Sequence, residues 1–581
     1  MVQLRPLFVM ILKECSPVEP LVLWDEYKLY ICDDLHHHLI QLQFEQPTED
    51  LIYGYGLYLI EEALQESGKS LKDYPLMPMP VNNWNAIVGN RLIAEQRNYN
   101  AVQERQSAAF DVAKMNRGQK HAFDSVVSSV DRKDGQLFFL NGPVGTGKMF
   151  CYNAICHKLR GDHKIVLCVA SSGIAALLLQ GGHTAHSTFK IPLDVHEDSV
   201  CNIHKNTILA QLLAETDLII WDEAPMQDRF APEAVDRTLQ DVLNNEKPSG
   251  RITVVFGGDF RQILPVKIKG TREVTVSASL QKSHLWRKIK VLSLTENMCL
   301  ARNPEKATYA QWLLDVGNGK LTAEDGSILL SKEKWCGDTV ESLLEVTYPG
   351  VAHVTAADPL LDAWFSERTI LCARNDDVDD LNSKILDKFP GQLKTFRSAD
   401  KAIIEEGADQ IAAHYSTEYL NPINASGLPL AELNLKIGCP VMILRNLDPT
   451  NGLCNGARAI LINFTQRVLE VQLIGGQHAG KCAFIPQITL SPPVEAVGFH
   501  LSRRQFVLWL AFAMTINKSQ GQSVKNVGIH FQTPVFTHGQ FYVAMSRCTS
   551  GNHIKILLPE DSTSNVTKNI AFSEALLKDT L

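Results

Sequence analysis

Between residues 106 and 310 the chain alternates apolar runs with helix-like stretches. Leu137–Leu140, Ile165–Ala170, Leu218–Trp221 and Ile252–Phe256 are almost continuously apolar, and each ends in small or polar residues. Runs without polar alternation predict strands covered on both faces, as in a parallel sheet whose ligands gather at the strands' carboxyl ends. Helical segments such as Ile174–Leu179 lie between them. A second series begins at Thr369–Cys372 and resumes at Leu508–Met514, Val527–Phe531 and Ile554–Leu557. Between these, residues 432–490 carry the short strands Val441–Leu444, Ala459–Asn463 and Val468–Ile474. The turns Asn451-Gly452, Asn455-Gly456 and Gly475-Gly476 separate them, which predicts a small β-barrel inserted into the second α/β unit. Residues 1–105 mix proline and aromatic residues without a clear period.

Composition narrows the classes. At 581 residues the chain is too long for one core, and about three or four domains are expected. No run approaches the roughly 18 apolar residues of a membrane span, and Leu7–Leu12 is too short and lacks a cleavage site, so no membrane partner is expected. The 13 cysteines include no Cys-x-x-Cys pair, which suits reduced thiols in an intracellular compartment better than zinc or disulfides. A net charge of −8 excludes a nucleic-acid binder basic over its whole surface, and leaves room for a narrow basic or aromatic channel. His36-His37-His38 departs from the His-hydrophobic-His pattern of rolling-circle nucleases at the central His37, and is expected to be a solvated or packed run.

The chemistry is concentrated in Gly142-Pro143-Val144-Gly145-Thr146-Gly147-Lys148-Met149. A Gly-x4-Gly-Lys loop between a strand and a helix lets backbone N–H groups close around phosphates, with the helix N-terminus adding positive potential. Lys148 would reach the β- and γ-phosphates. The next residue in such loops is Ser or Thr, whose hydroxyl ligates magnesium; here it is Met149, whose thioether has no affinity for a hard cation.

Asp222 and Glu223 follow the apolar run Leu218–Trp221, roughly 75 residues after the loop. In a P-loop enzyme the first carboxylate holds the metal and the second orients and deprotonates water. Val254–Pro265 repeats the design and places Gln262 where a neutral group can sense the γ-phosphate. Near the C-terminus, Arg547 ends the helix-like run His538–Ser546, and in a two-lobed motor it would act as an arginine finger, worth about 10³–10⁵ in rate.

Taken in order, the loop, Asp222-Glu223, Gly258–Gln262, Thr515-Ile516-Asn517-Lys518-Ser519-Gln520-Gly521 and Tyr542–Arg547 resemble the PIF-type DNA helicases, RecD-like members of helicase superfamily one. Leu433–Met442 and Asn446–Asp448 are similar in spelling to the helicase part of Helitron rolling-circle transposons. The resemblance runs from about 106 to 560, and less distinctly through the first hundred residues. It implies an α/β fold of two RecA-like P-loop domains with an inserted SH3-like barrel and a mixed N-terminal region. The expected segments are 1–105 flanking region, 106–310 first RecA-like domain, 311–431 linker and start of the second, 432–490 barrel, and 491–581 remainder of the second.

The same resemblance implies ATP and magnesium as cofactors and 5′ to 3′ movement on single-stranded DNA with unwinding of duplex. It implies a monomeric motor in the nucleus, with the mitochondrion as alternative. Residue by residue, Gln119 matches the adenine-reading glutamine, and Ser171, Ser172, Gly173, His186, Ser187 and Phe189 match DNA-contacting positions, with Phe189 stacking on a base. Thr515, Lys518, Gln520 and Gly521 match the motif coupling DNA to ATP, Gly521 on the nucleotide side. Three positions depart from the family: Met149, Cys299 where arginine faces the γ-phosphate, and His183 where arginine is usual. Two departures at one ATP site imply impaired hydrolysis, and make a non-catalytic, transposon-derived remnant the alternative reading. Other P-loop classes, nucleotide kinases or hexameric ATPases, lack the motifs around Gln520 and Arg547.

Overall fold

The computed structural model describes the chain except residues 1–3, 16, 43, 45, 66–67, 83, 85–86, 88, 299–303, 338, 356–357, 359–360, 404–414, 426, 549, 560–564 and 578–581. Two compact units emerge, one comprising 92–351, 363–385 and 512–581, the other 1–91, 352–362 and 386–511.

The first of these units holds two parallel sheets. In one, strands β1 (Leu137–Asn141), β2 (Ile165–Ala170), β3 (His183–Thr184), β4 (Thr216–Asp222), β5 (Thr253–Gly258) and β6 (Ile289–Ser293) run in the order β3-β2-β4-β5-β1-β6, all parallel. Alternate residues face two cores. Phe139, Leu167, Ile219, Trp221 and Val254 pack on one side, and Phe138, Leu140, Val166, Cys168, Ile220 and Val255 on the other. Burial on both faces is why these strands read as unbroken apolar runs. The second sheet, β7 (Arg368–Cys372), β8 (Ala513–Thr515), β9 (Asn526–His530) and β10 (Ile554–Leu557), is ordered β8-β7-β9-β10 and is also parallel. Both sheets belong to RecA-like halves.

Helix α1 (Ala101–Ala113) is part of this unit although the sequence reading begins it at 106. Its Glu104 carboxylate lies 2.6 Å from His157 on the helix after the phosphate loop, a polar contact that apolar periodicity does not report.

In the other unit, helices Pro20–Ile31 and Glu49–Gln65 enclose a core around Trp24, Ile60, Leu64 and Trp84. Here the mixed texture of the N-terminal hundred residues resolves as helical packing. His36, His37 and His38 are exposed on helix Leu35–Gln41, and among the described residues no cluster of metal-ligating side chains is found. The expected 432–490 insertion is part of a larger antiparallel sheet of seven strands, from Ala399–Ile403 at one edge to Leu508–Leu510 at the other. The predicted strand Leu508–Met514 is two strands: Leu508–Leu510 pairs with Pro440–Ile443, and Ala513–Thr515 pairs with β7 in the parallel sheet. Hydrophobic continuity hides that division: Leu508 and Ala513–Thr515 are buried, and Trp509 and Leu510 between them are half-buried and equally apolar.

Candidate nucleotide and DNA site

The phosphate loop joins β1 to helix α3 (Lys148–Gly161), with α2 (Arg117–Arg132) alongside. Gly145 and Gly147 have φ of 87° and 83°, conformations that residues with a Cβ rarely adopt. Thr146 Oγ1 donates to the Pro143 carbonyl at 2.8 Å, and Lys148 Nζ folds back onto the Gly142 carbonyl. Asn297 Nδ2 donates to the Val144 carbonyl at 3.1 Å, and the Met298 amide donates to Gly145 O at 2.9 Å. The stretch after β6 thus clasps the loop. Gln119 is buried; its Nε2 donates to the Thr146 carbonyl at 3.0 Å while its Oε1 accepts from the Asn116 amide at 3.1 Å. Met149 is half-buried against the core under the sheet and presents no oxygen.

Strand β5 lies between β1 and β4, so its carboxyl end separates the phosphate loop from Asp222 and Glu223. Asp222 is buried, and burial raises its carboxyl above the ordinary range while Lys148 pulls it back. Tyr152, one turn beyond Lys148 on α3, donates to Asp222 Oδ1 at 3.2 Å. Glu223 has φ 51°, a left-handed conformation strained for a side chain of its size. Burial, with the Asp222 charge adding, pushes Glu223 up to about 7, against the pull of Lys148 and Arg547. A carboxylate so placed can accept a proton from water near neutral pH. Asp222 is a hard oxygen donor suited to magnesium held jointly with phosphate oxygens, and the loop supplies no second oxygen from Met149.

Beyond β5, Asp259 is the centre of a buried network. Arg261 Nη1 donates to its Oδ1 at 3.0 Å and Tyr542 Oη to its Oδ2 at 2.7 Å. His538 Nε2 lies 2.8 Å from the Phe260 carbonyl, and its Nδ1 accepts from the Phe572 amide at 2.8 Å. Gln262 Oε1 accepts from Gln520 Nε2 at 3.3 Å. These bonds tie the end of β5 to helix α5 (Gln540–Ser546) and the Lys518–Gly521 turn of the second half. Arg547 is buried within electrostatic reach of Glu223 and Asp259. Its Nη1 donates to Ser519 O and Gln522 O at 3.1 and 3.0 Å, its Nε to Val543 O at 3.1 Å, and its Nη2 to Ser546 Oγ at 2.8 Å.

Several expected DNA contacts gather at one edge of the first sheet. Ser171 follows β2; its Oγ accepts from Trp221 Nε1 at 3.3 Å. Ser172 caps helix α4 (Gly173–Leu178) by accepting from Ala175 N at 3.2 Å, and Gly521 lies against the backbone of Ala175. His186 is half-buried within 3.3 Å of Gln227 Nε2, and Ser187 is exposed. Lys518 is half-buried, and desolvation lowers its ammonium to about 8.

Two expectations are corrected. Phe189 is fully buried and stacks on Trp221, ring centroids 5.7 Å apart, so it is a core residue without a face for a base. Gln520 is 3% exposed and turned to Gln262, so it belongs to the joint between the halves and not to a DNA-facing surface. Cys299 lies outside the described residues. His183, in β3, is half-buried. Tyr152, Asp259, His538 and Tyr542 are not among the residues that the sequence marks for the site. The Gly-Asp-x-x-Gln and His-Gly-Gln spellings were the available signal for Asp259 and His538, and nothing local marks Tyr152.

The profile of the PIF1-like helicase family matches residues 114–327, that of the DNA helicase Pif1 2B domain residues 418–464, and a helicase profile residues 495–575. The ATP-dependent DNA helicase PIF1 of Rattus norvegicus is 29% identical over 436 residues, covering 73% of this chain and 59% of that protein. The PIF1 helicase of Xenopus laevis is 27% identical over 430 residues, with the same two coverages. The Pif1 helicase of Campylobacter jejuni is 27% identical over 461 residues, covering 76% of this chain and 92% of that protein. The chain therefore spans less than two thirds of the vertebrate relatives it matches. Among solved structures, Bacteroides Pif1 bound to ssDNA aligns with TM-score 0.53 at 23% identity, over 78% of this chain and 93% of that one. Pif1 helicase from Candida albicans aligns with TM-score 0.52 at 22% identity, over 80% and 97%.

Proposed function

We propose that this chain, a relative of the PIF1-like helicases, is an ATP-dependent DNA helicase that moves 5′ to 3′ along single-stranded DNA and opens duplex ahead of it. The observation that carries the reading is the convergence of Lys148, Asp222, Glu223, Gln262 and Arg547 at the joint of two RecA-like halves, where nucleotide chemistry can bias their closure. The loop amides and Lys148 hold the phosphates, and Gln119 turns from Thr146 to the adenine. Asp222 would hold magnesium, which supplies neutralising charge on the phosphate oxygens when bound. Glu223 orients water and takes its proton. Arg547 leaves the Ser519 and Gln522 carbonyls to face the γ-phosphate, while Gln262 reports its presence to Gln520.

Single-stranded DNA would run past Ser171–Gly173, His186, Ser187, Thr515 and Lys518 of both halves, and the motor works as a monomer on DNA of the nucleus. Support comes from the PIF1 relatives, named as ATP-dependent DNA helicases, and from the Bacteroides protein, solved bound to ssDNA. One observation favours a second reading. Met149 gives the metal no oxygen, which fits a protein that binds nucleotide and DNA without unwinding. ATP turnover with and without saturating single-stranded DNA separates the two: stimulated turnover supports the helicase, and binding without turnover the remnant.

A further inference from the structure

Arg160 is 3% exposed, and among the described residues no carboxylate makes an ion pair with it; the buried Glu104 carboxylate acts on it only through space. Its Nη2 donates to the Gln180 carbonyl at 3.0 Å, and its guanidinium lies under the ring of Tyr99 at 4.1 Å. Its Nε and Nη1 have no hydrogen-bond partner. A buried cation whose carboxylate neighbour makes no ion pair with it is costly. Beside Glu104, the groups positioned to supply negative charge are the thiols of Cys156 and of Cys168, the latter 3.9 Å from Nη2. Cys168 Sγ in turn lies 3.5 Å from Cys156 Sγ. Cys156 is on α3, two turns beyond Lys148, and Cys168 is on β2, the strand that leads into Ser171. A disulfide needs the sulfurs at about 2.05 Å, so the Cys156 and Cys168 side chains, facing each other from α3 and β2 within one core, close by about 1.5 Å.

We propose that Cys156 and Cys168, with Arg160 as their counter-charge, form a peroxide-sensitive dithiol in the first RecA-like half. Arg160 stabilises Cys168 as the thiolate, the nucleophilic form. The thiolate sulfur attacks one oxygen of hydrogen peroxide, the O–O bond breaks, and hydroxide leaves, giving Cys168 sulfenic acid. The Cys156 thiol then attacks the Cys168 sulfur, the S–O bond breaks, and water is released as the S–S bond forms. Two thiols are oxidised, one peroxide is reduced, and two waters result. Tyr99 is half-buried, with its ring on the Arg160 guanidinium and its hydroxyl beside Gly181, and on this proposal it is the gate through which peroxide enters. The product ties the phosphate-loop helix covalently to the strand that leads into Ser171–Gly173.

The test is oxidation of the full chain by hydrogen peroxide at neutral pH, followed by intact mass and peptide mapping, with exposed Cys482 as internal reference. The expected result is loss of two hydrogens and a linked Cys156–Cys168 peptide that forms before Cys482 is oxidised. Cys156→Ser and Cys168→Ser abolish it, and Arg160→Gln slows it by about tenfold, as a one-unit change in thiol pKa would. Tyr99→Ala, which leaves the cation in place, speeds linkage by opening the gate. Oxidation of Cys482 with Cys156 and Cys168 recovered as free thiols overturns the proposal, as does linkage at an unchanged rate in Arg160→Gln, or no acceleration in Tyr99→Ala.

Discussion

Tyr152 donates its hydroxyl to Asp222 Oδ1 at 3.2 Å, and it does so directly over Gly257, where an added Cβ would fall 1.5 Å from the Tyr152 oxygen. The glycine near the end of β5 is thus the space through which the phosphate-loop helix reaches Asp222, the carboxylate proposed to hold magnesium. Gly257→Ala is expected to destabilise the protein by about 1–3 kcal/mol, the usual range for overpacking, and to weaken magnesium-dependent nucleotide binding. Tyr152→Phe, which keeps the packing and loses the bond to Asp222, should lower magnesium affinity about 10–100-fold with little change in melting temperature. Magnesium titration and thermal melts on both variants check this; equal affinity in Tyr152→Phe would remove Tyr152 from the site.

Glu223→Gln should retain ATP binding and lose turnover, because phosphate binding rests on Lys148 and the loop amides. The carboxylate is raised to about 7, and the base must be ionised to act. Turnover is therefore expected to rise with pH, with its half-maximum nearer 7 than the ordinary 4.5 of a glutamate. A flat profile between pH 5 and 8, where an unperturbed glutamate stays ionised, would assign the base elsewhere.

Met149→Thr restores an oxygen to the loop and should strengthen magnesium-dependent nucleotide binding while leaving magnesium-free binding unchanged. Adding Cys299→Arg should raise turnover by a further factor of roughly ten or more, on the scale of arginine-finger effects. The two act on one transition state, so their effects should not simply add. Steady-state ATPase on the parent, both single variants and the double variant checks this. Fast parental turnover with no gain from either change would show that Met149 is tolerated.

Phe189→Ala should cost about 3–5 kcal/mol of stability, as for a buried aromatic, and leave the DNA affinity of the folded fraction unchanged. If Phe189 carried a base, the affinity would fall by about 1–3 kcal/mol instead. Denaturant unfolding and anisotropy titration with labelled single-stranded DNA separate the outcomes.

Burial holds the His538 imidazole down at about 4, below its ordinary 6.5. Between those values the unfolded chain binds the proton and the folded one does not. The stability from this group is complete above 6.5, is lost as pH falls toward 4, and does not change further below it. The span corresponds to about 3 kcal/mol at one pKa unit per 1.36 kcal/mol. His538→Gln should remove that acid limb from a plot of unfolding free energy against pH.

The phosphate loop, the Asp222-Glu223 pair and four strands of the first sheet were legible because contiguous residues encode them. Parallel strands read as apolar runs, and a phosphate cradle needs glycines at fixed spacing. The joint was not legible in the same way. Asp259 meets Tyr542, and Gln262 meets Gln520, across nearly half the chain, and no local pattern reports such a meeting. Phe189 shows the opposite difficulty: one letter serves a packed ring or a stacking ring, and only the presence of Trp221 beneath it decides. Leu508–Met514 read as one strand because apolar continuity carries no mark of which sheet each half joins.

Gly539, with φ 77°, sits so close to the Arg261 and Gln262 backbone that an added Cβ would lie 2.5–2.6 Å from it. Together with the Tyr542–Asp259 and His538–Phe260 bonds, this leaves no slack at that point. Drawing the halves straight apart would strand Asp259, a carboxylate with almost no access to water. Turning them about the contact would disturb these bonds less than a straight separation. On the function proposed above, the joint would serve as a fulcrum, and a rocking movement about it would have travel that grows with distance from Gly539.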